Sequence, residues 1–190
     1  KGVITVNEKD FKAYFARHGD AISTERPCLM DQFLDRALEV DVDLVRGKDW
    51  IVIGGIIEHI EAAGVHSGDS MGVVPPQRLK PETCAKIEDL SRRLADRLGI
   101  LGFLNLQLAV KDDEVFLLEA NPRSSRSVPF IAKATGVPVV DRGVKAILGL
   151  PSAQVRPEKY AWRARKGVSV KGVVFPFKKF PEADSILGPE

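Results

Sequence analysis

Hydrophobic and polar positions change period along the chain, and each change marks an element. In "LEVDVDLV", Leu38, Val40, Val42 and Leu44 alternate with Glu39, Asp41 and Asp43, the period-two pattern of a strand with one apolar and one polar face. "RGKD" then turns the chain into the apolar run "WIVIGGIIEHI", so residues 37–60 read as an antiparallel hairpin whose acids lie on an open face. From Pro81 the spacing becomes three and four, with Cys84, Ile87, Leu90, Leu94 and Leu98 in one stripe and Gly99 beyond it. This predicts a core-packing helix of about eighteen residues, opened by proline and stopped by glycine. Two more strands follow, "GFLNLQLAV" and "EVFLLEAN", joined by "KDD", and after "NPRSSRS" two short helical pieces surround Ala132 and Val144. Near the start, "GVITV" reads as a short strand, Asn7 caps a helix of about ten residues bearing Phe11, Tyr14 and Phe15, and "PCLMDQFLD" is again strand-like. Residues 63–70, "AGVHSGDS", form a loop by their Gly and Ser content. The last stretch holds Trp162 and the strand-like "VSVKGVVF". The fold class is therefore α+β, with mostly antiparallel strands and packed helices, and not an alternating doubly wound sheet.

The chemistry concentrates on the 102–121 hairpin. Phe103, Asn105, Gln107 and Ala109 share one face of the first strand, while Val115, Leu117, Glu119 and Asn121 share one side of the second. With a two-residue turn at Asp112 and Asp113, Gln107 and Glu119 point to opposite faces; with three residues, 112–114, they sit opposite each other. "DD" lacks the glycine favoured in a two-residue turn, which points to the longer loop and gathers Asn105, Gln107, Glu119 and Asn121 into one polar quartet. A carboxylate among amide oxygens is a hard-oxygen set, suited to Mg²⁺ or Mn²⁺ and not to zinc or copper. Just beyond, Arg123 and Arg126 supply guanidinium forks that match phosphate oxygens. From residue types alone two readings stand: a metal-phosphate site, or a solvated sheet face on which Glu119 pairs with Arg123. Glu39, Asp41 and Asp43 read as ordinary acids of an open sheet face, His66 as a surface loop residue, and His18 and His59 as having no companions for catalysis or metal.

Composition adds exclusions. The chain has 190 residues, 44% hydrophobic, enough for an ordinary core. Its 28 Lys and Arg against 26 Asp and Glu are too balanced to argue for nucleic acid or an anionic membrane. Residues 156–179 hold eight basic residues and one acid, but with only Tyr160 and Trp162 as nearby aromatics they read as a solvated linker and not as an RNA-binding tail. Cys28 and Cys84 lack any CxxC or His partner in sequence, so neither a zinc site nor a disulfide framework is expected, and a reducing cytoplasm suits them. No apolar run reaches the length of a membrane span, and no signal-peptide pattern is seen. The chain begins at Lys1 and not at Met, so further residues are expected upstream.

Several stretches then resemble one family over nearly the whole chain: "LEVDVDLVR", "IGGIIEHIEAAGVHSGDS", "NLQLAV" and "LLEANPRSSRSVPFIAKATGVP" are similar to the ATP-grasp domains of the carbamoyl-phosphate synthase large subunit. "EHIEAAGVHSGDS", "SVPFIAKATGVP" and "VSVKGVVFPFKKFPEADSILGPE" resemble the second of its two ATP-grasp halves, the one that phosphorylates carbamate. The resemblance implies an ATP-grasp fold lacking its upstream lid subdomain, with residues 1–150 a partial synthetase domain and 151–190 a basic linker and strand leading out of it. It implies Gln107, Glu119 and Asn121 as ligands of Mg²⁺ or Mn²⁺ on ATP, with Gln107 and Glu119 also contacting the nucleotide, and Arg123 and Arg126 as the catalytic arginines facing the transferring phosphoryl group. Glu39 and the "GVHS" loop, Gly64, Val65, His66 and Ser67, would bind nucleotide, and Gln32 and Leu34 would frame the base. The implied partners are carbamate, ATP and ADP, the rest of the large subunit and a glutaminase small subunit, in arginine and pyrimidine biosynthesis in the cytoplasm. Other ATP-grasp ligases or carboxylases, and a noncatalytic nucleotide-binding module, are the alternatives. With no glycine-rich lid in residues 1–30, the chain alone is expected to be inactive or nearly so.

Overall fold

The computed structural model describes residues 3–65, 68–155, 161–163, 166–174 and 178–182. Its centre is the hairpin of β1 (Leu38–Arg46) and β2 (Ile51–Ala62), joined on one side by β4 (Gly102–Lys111) and β5 (Glu114–Asn121), and on the other by β3 (Gly72–Val74) and β6 (Ser169–Lys171). The sheet order is β5-β4-β1-β2-β3-β6, and every neighbouring pair is antiparallel. The α+β reading with an antiparallel sheet thus holds.

Helices cover both faces of this sheet. The helix α2 (Pro81–Leu98) is opened by Pro81 and closed by Gly99 in the left-handed region at φ 62°, a conformation that glycine takes without the Cβ penalty. It lies on the face of Val40, Val42 and Leu44, where Arg46 Nε meets Asp96 Oδ1 at 2.9 Å. Its buried stripe is Thr83, Cys84, Ile87, Ser91 and Ala95, with Leu90 and Leu94 packed at its flanks, whereas Leu98 is exposed. Two helices, α3 (Val128–Thr135) and α4 (Val139–Ile147), sit on the opposite face: a Cβ built on Gly55 would meet Ile131, and one on Gly143 would meet the Phe103 ring. A last short helix, α5 (Ser152–Val155), brings Val155 into the core. The buried carboxylate of Glu58 accepts from the backbone N–H groups of Gln77, Arg78 and Leu79 and from Arg78 Nε, and so ties the lead-in to α2 onto β2.

That second layer overturns one expectation. Glu39, Asp41 and Asp43 are not on an open face; all three are buried at 5, 3 and 2% exposure, because α3, α4 and the loop after β2 cover what an isolated hairpin would leave to solvent. The two early segments are corrections as well. Residues 3–6 and 27–35 are irregular, with Val6 and Leu29 exposed; among the described residues neither has a strand beside it, and an extended segment needs a ladder partner. The first helix, α1 (Glu8–His18), forms as expected, with the Asn7 side chain accepting from Asp10 N, but it buries none of its residues. Beyond α5, Trp162 is buried and donates from Nε1 to Glu88 Oε1 at 3.2 Å. Tyr160 and the end of the "VSVKGVVF" run lie outside the described residues.

Candidate functional site

The polar quartet forms, by a different route from the one expected. Asp112 and Asp113 turn in only two residues, both with positive φ (51° and 62°), and Lys111 pairs with Glu114. This is the backbone of a tight hairpin, in which Asp substitutes for the more usual Asn or Gly. It is held from outside: Thr83 Oγ1 donates to Asp113 Oδ1 at 3.1 Å, Lys86 Nζ to the Asp113 carbonyl at 3.2 Å, and Lys80 pairs with the Asp113 carboxylate. The extra residue sits instead in β5, as a bulge at Leu118 between the pairs Gln107–Glu119 and Leu108–Leu117. Gln107 therefore opposes Glu119, and Asn105 opposes Asn121.

On the other side of β4, Asn105 pairs with Asp43 and Gln107 with Asp41 across β1. One row thus runs Glu119, Gln107, Asp41, and a parallel one runs Asn121, Asn105, Asp43. Asp43 is a structural anchor. Its Oδ1 accepts from Asn105 Nδ2 at 3.1 Å, and its Oδ2 accepts from the Ser127 hydroxyl, which is itself 2.6 Å from Ser125 Oγ. Burial pushes its carboxyl above the ordinary aspartate range, against the lowering effect of those hydrogen bonds, and the neighbouring Asp41 charge adds to the rise. These contacts bind the 122–127 turn back across β4 onto β1. The turn begins with Arg123 N donating to the Asn121 carbonyl at 2.8 Å, and it presents Arg123 and Arg126 as exposed side chains.

These residues converge on a cavity of about 340 Å³ lined by Asp41, Gln107, Glu119, Arg123 and Arg126, with Asn105, Ser125 and Ser127 behind them and Gly68, Lys171 and Val173 on the far wall. No ion pair joins Glu119 to Arg123 among the described residues, so the solvated-face pairing does not form. Two buried polar atoms in these rows have no hydrogen-bond partner among the described residues, Asp41 Oδ1 and Asn121 Nδ2, of which only Asp41 belongs to the cavity lining. An orphaned amide fits a cation ligand once it is turned half a revolution to present its oxygen. Among the described residues no cluster of three His, Cys, Asp or Glu side chains forms a metal cage; a hard cation here would rest on Glu119 and amide oxygens, supplemented by phosphate oxygens.

At the other end of β1, Glu39 Oε2 accepts from Gly64 N at 3.2 Å, so the structure brings together Glu39 and the start of the "GVHS" loop. Val65 lies half-buried beside Gly64, while His66 and Ser67 fall outside the described residues. Gln32 is exposed and Leu34 half-buried in the irregular segment before β1, and neither lines the cavity. Residue reasoning missed His59. Fully buried, it places Nε2 at 3.2 Å from Asp41 Oδ2 and Nδ1 at 3.7 Å from Glu39 Oε1. No local signal announces this, since both acids are on another strand.

The architecture has counterparts among solved structures. N5-carboxyaminoimidazole ribonucleotide synthetase from Thermus thermophilus matches with a TM-score of 0.66 at 20% identity, over 96% of this chain and 48% of that one. An ADP complex of the same kind of synthetase matches with a TM-score of 0.62 at 22% identity, over 78% of this chain and 38% of that one. The fold is an ATP-grasp fold. Residues 2–154 match the family model described as carbamoyl-phosphate synthase L chain, ATP binding domain, and the chain belongs to that family. It is 47% identical over 169 residues to the carbamoyl phosphate synthase large chain of Methanosphaerula palustris, covering 89% of this chain and 16% of that one. It is 43% identical over 203 residues to the protein of Aquifex aeolicus described as the carbamoyl phosphate synthase large chain, C-terminal section, covering 98% and 37%. The chain thus spans about a sixth of the length of full large chains such as the first of these.

Proposed function

We propose that this chain is the metal-nucleotide half of the second, carbamate-phosphorylating ATP-grasp unit of a carbamoyl-phosphate synthase large chain. The observation that carries the reading is the convergence of Gln107, Glu119 and Arg123 on one cavity, with Asn121 one pair along the same hairpin, outside the cavity lining. The similarity to the Aquifex aeolicus C-terminal section over 98% of this chain supports the second half. Residues 1–150 then form a partial synthetase domain, and 151–190 the segment leading out of it.

In this reading Gln107, Glu119 and Asn121 hold Mg²⁺ or Mn²⁺ with the phosphates of ATP, and such a cation, when bound, neutralises phosphate charge. Arg123 and Arg126 face the transferring phosphoryl group from the turn fixed by Asp43 and Ser127, and add charge stabilisation on its oxygens. Glu39 with Gly64, Val65, His66 and Ser67 takes the ribose side, and Gln32 and Leu34 the base. Carbamate oxygen attacks the γ-phosphorus in line, giving carbamoyl phosphate and ADP, so the protein's task is position and charge neutralisation. The rest of the large chain and a glutaminase subunit complete the system, in the cytoplasm, for arginine and pyrimidine synthesis. Among the described residues no helix is long and apolar enough to cross a membrane.

Calorimetric titration with MgADP tests this. Binding in the millimolar range that disappears both without Mg²⁺ and in Glu119→Gln is the expected result; a folded protein whose nucleotide affinity ignores both changes would refute the metal assignment. Carbamoyl phosphate formation from carbamate and MgATP at an ordinary enzymatic rate by these 190 residues alone would refute the expectation that the chain needs the remainder of the unit.

A further inference from the structure

The basic segment after residue 155 has no role in the assignment above, yet one of its residues reaches the cavity. β6 pairs with β3 in the register Gly72–Lys171, Val73–Val170 and Val74–Ser169. Along this strand the usual alternation is inverted: Val170 is exposed, while Ser169 and Lys171 are half-buried. The lysine faces inward and the valine faces water, where simple partition would place them the other way. Lys171 and Val173 form part of the cavity wall that also holds Glu119, Arg123 and Arg126.

That arrangement needs the two edges of the sheet to approach each other. β5 and β6 are five strand spacings apart in the order, about 24 Å in a flat sheet at ~4.8 Å per step. The 122–127 turn shortens this distance by crossing back to β1 through the Ser127 to Asp43 hydrogen bond, and the twist general to β-sheets acts in the same direction. Among the described residues the cavity then carries three cationic side chains, Arg123, Arg126 and Lys171, against two carboxylates, Asp41 and Glu119. Lys171 is also outside residues 2–154, the part matched by the family model.

We infer that Lys171 is an anion-binding residue of this site, delivered by the tail strand to contact an oxyanion held in the cavity opposite the arginine turn. The inference rests on the phosphoryl-transfer reading and adds to it the residue that closes the far wall. The oxyanion has two possible sources, the terminal phosphate of the nucleotide and the carboxylate of the acceptor, and an ammonium on a flexible stem serves either as a point charge.

The test compares wild type with Lys171→Met and Lys171→Arg in the same chain, by calorimetry with MgADP, with the magnesium complex of the non-hydrolysable ATP analogue AMP-PNP, and with acetate added to the MgADP complex. Losing one charge-assisted contact predicts about a tenfold weaker affinity in Lys171→Met, largely restored in Lys171→Arg. A loss confined to AMP-PNP assigns the terminal phosphate, and a loss confined to acetate assigns the acceptor carboxylate. If Lys171→Met folds poorly, Lys171→Gln carries the same comparison. Unchanged affinity for all three probes, with wild type still binding MgADP, would overturn the inference and leave Lys171 as a charge guarding a sheet edge. Wild type binding neither nucleotide would overturn the phosphoryl-transfer reading, and the inference with it.

Discussion

Replacing Asp43 separates the two things this carboxylate does. It accepts hydrogen bonds from Asn105 and Ser127 at 2% exposure, and it carries a charge that burial disfavours. Asp43→Ala removes the acceptor. Ser127 can redirect its hydroxyl to Ser125, 2.6 Å away, but the buried Asn105 amide is left without an acceptor, at about 1–3 kcal/mol. Asp43→Asn keeps the shape and an acceptor for Asn105, and its amide hydrogens can be taken by Ser127; it should remain within ~1 kcal/mol of wild type at pH 7. The pH dependence follows from the raised carboxyl. Folded Asp43 binds its proton more readily than unfolded Asp43, so its stabilising contribution is full below the ordinary value of 3.8 and is lost as pH rises through the folded value. The wild-type advantage over Asp43→Asn should therefore grow as pH falls from 7 toward 4. Urea unfolding followed by the fluorescence of the buried Trp50 and Trp162 reads both effects. If Asp43→Asn is as damaging as Asp43→Ala, or the difference from wild type ignores pH, the charge is not disfavoured by burial and the reasoning fails.

Three further substitutions check the packing that holds the site. Gly143→Ala places a Cβ 1.9 Å from Phe103 Cζ on the strand bearing Gln107, so despite the better helix former it should destabilise by about 1–3 kcal/mol and lower the thermal midpoint. Ile87→Ala, at a fully buried position of α2, should cost about 2–5 kcal/mol, whereas Leu98→Ala, half exposed at the helix end, should cost under ~1 kcal/mol in the same denaturation series.

Legibility in the sequence followed the range of the interaction. α2 was readable because its signals are local: Pro81 opens it, Gly99 closes it, and Cys84 and Ile87 mark its inner stripe. The β1–β2 hairpin was readable because alternation and the "RGKD" turn lie within it. Burial of Glu39, Asp41 and Asp43 was not, since polar residues at period two look the same under solvent as under α3 and α4, and only the packed layer tells them apart. His59 was illegible for a related reason: its companions Asp41 and Glu39 lie on the neighbouring strand, eighteen and twenty residues away. Residues 3–6 and 27–35 show the converse error, apolar runs with strand composition that find no described ladder partner.

The facing of Gln107 and Glu119 survived a mistaken turn because it is a question of parity. Eleven residues separate them, and a regular ladder closed by a two-residue turn accommodates only an even number, so one residue must be surplus in the turn or in a strand. The lack of glycine in "DD" pointed to the turn. What decided otherwise is tertiary: Thr83, Lys80 and Lys86 of the α2 region all bind Asp113, and these contacts help offset the cost of two aspartates at positive φ. The surplus is then displaced into β5, which as an edge strand has a ladder on one side only and loses least from an interruption. It lands at Leu118, immediately before Glu119. A bulge strengthens local twist and re-aims the side chain beside it, so fixing the turn from α2 is also what sets the direction of the carboxylate on which the proposed metal site depends.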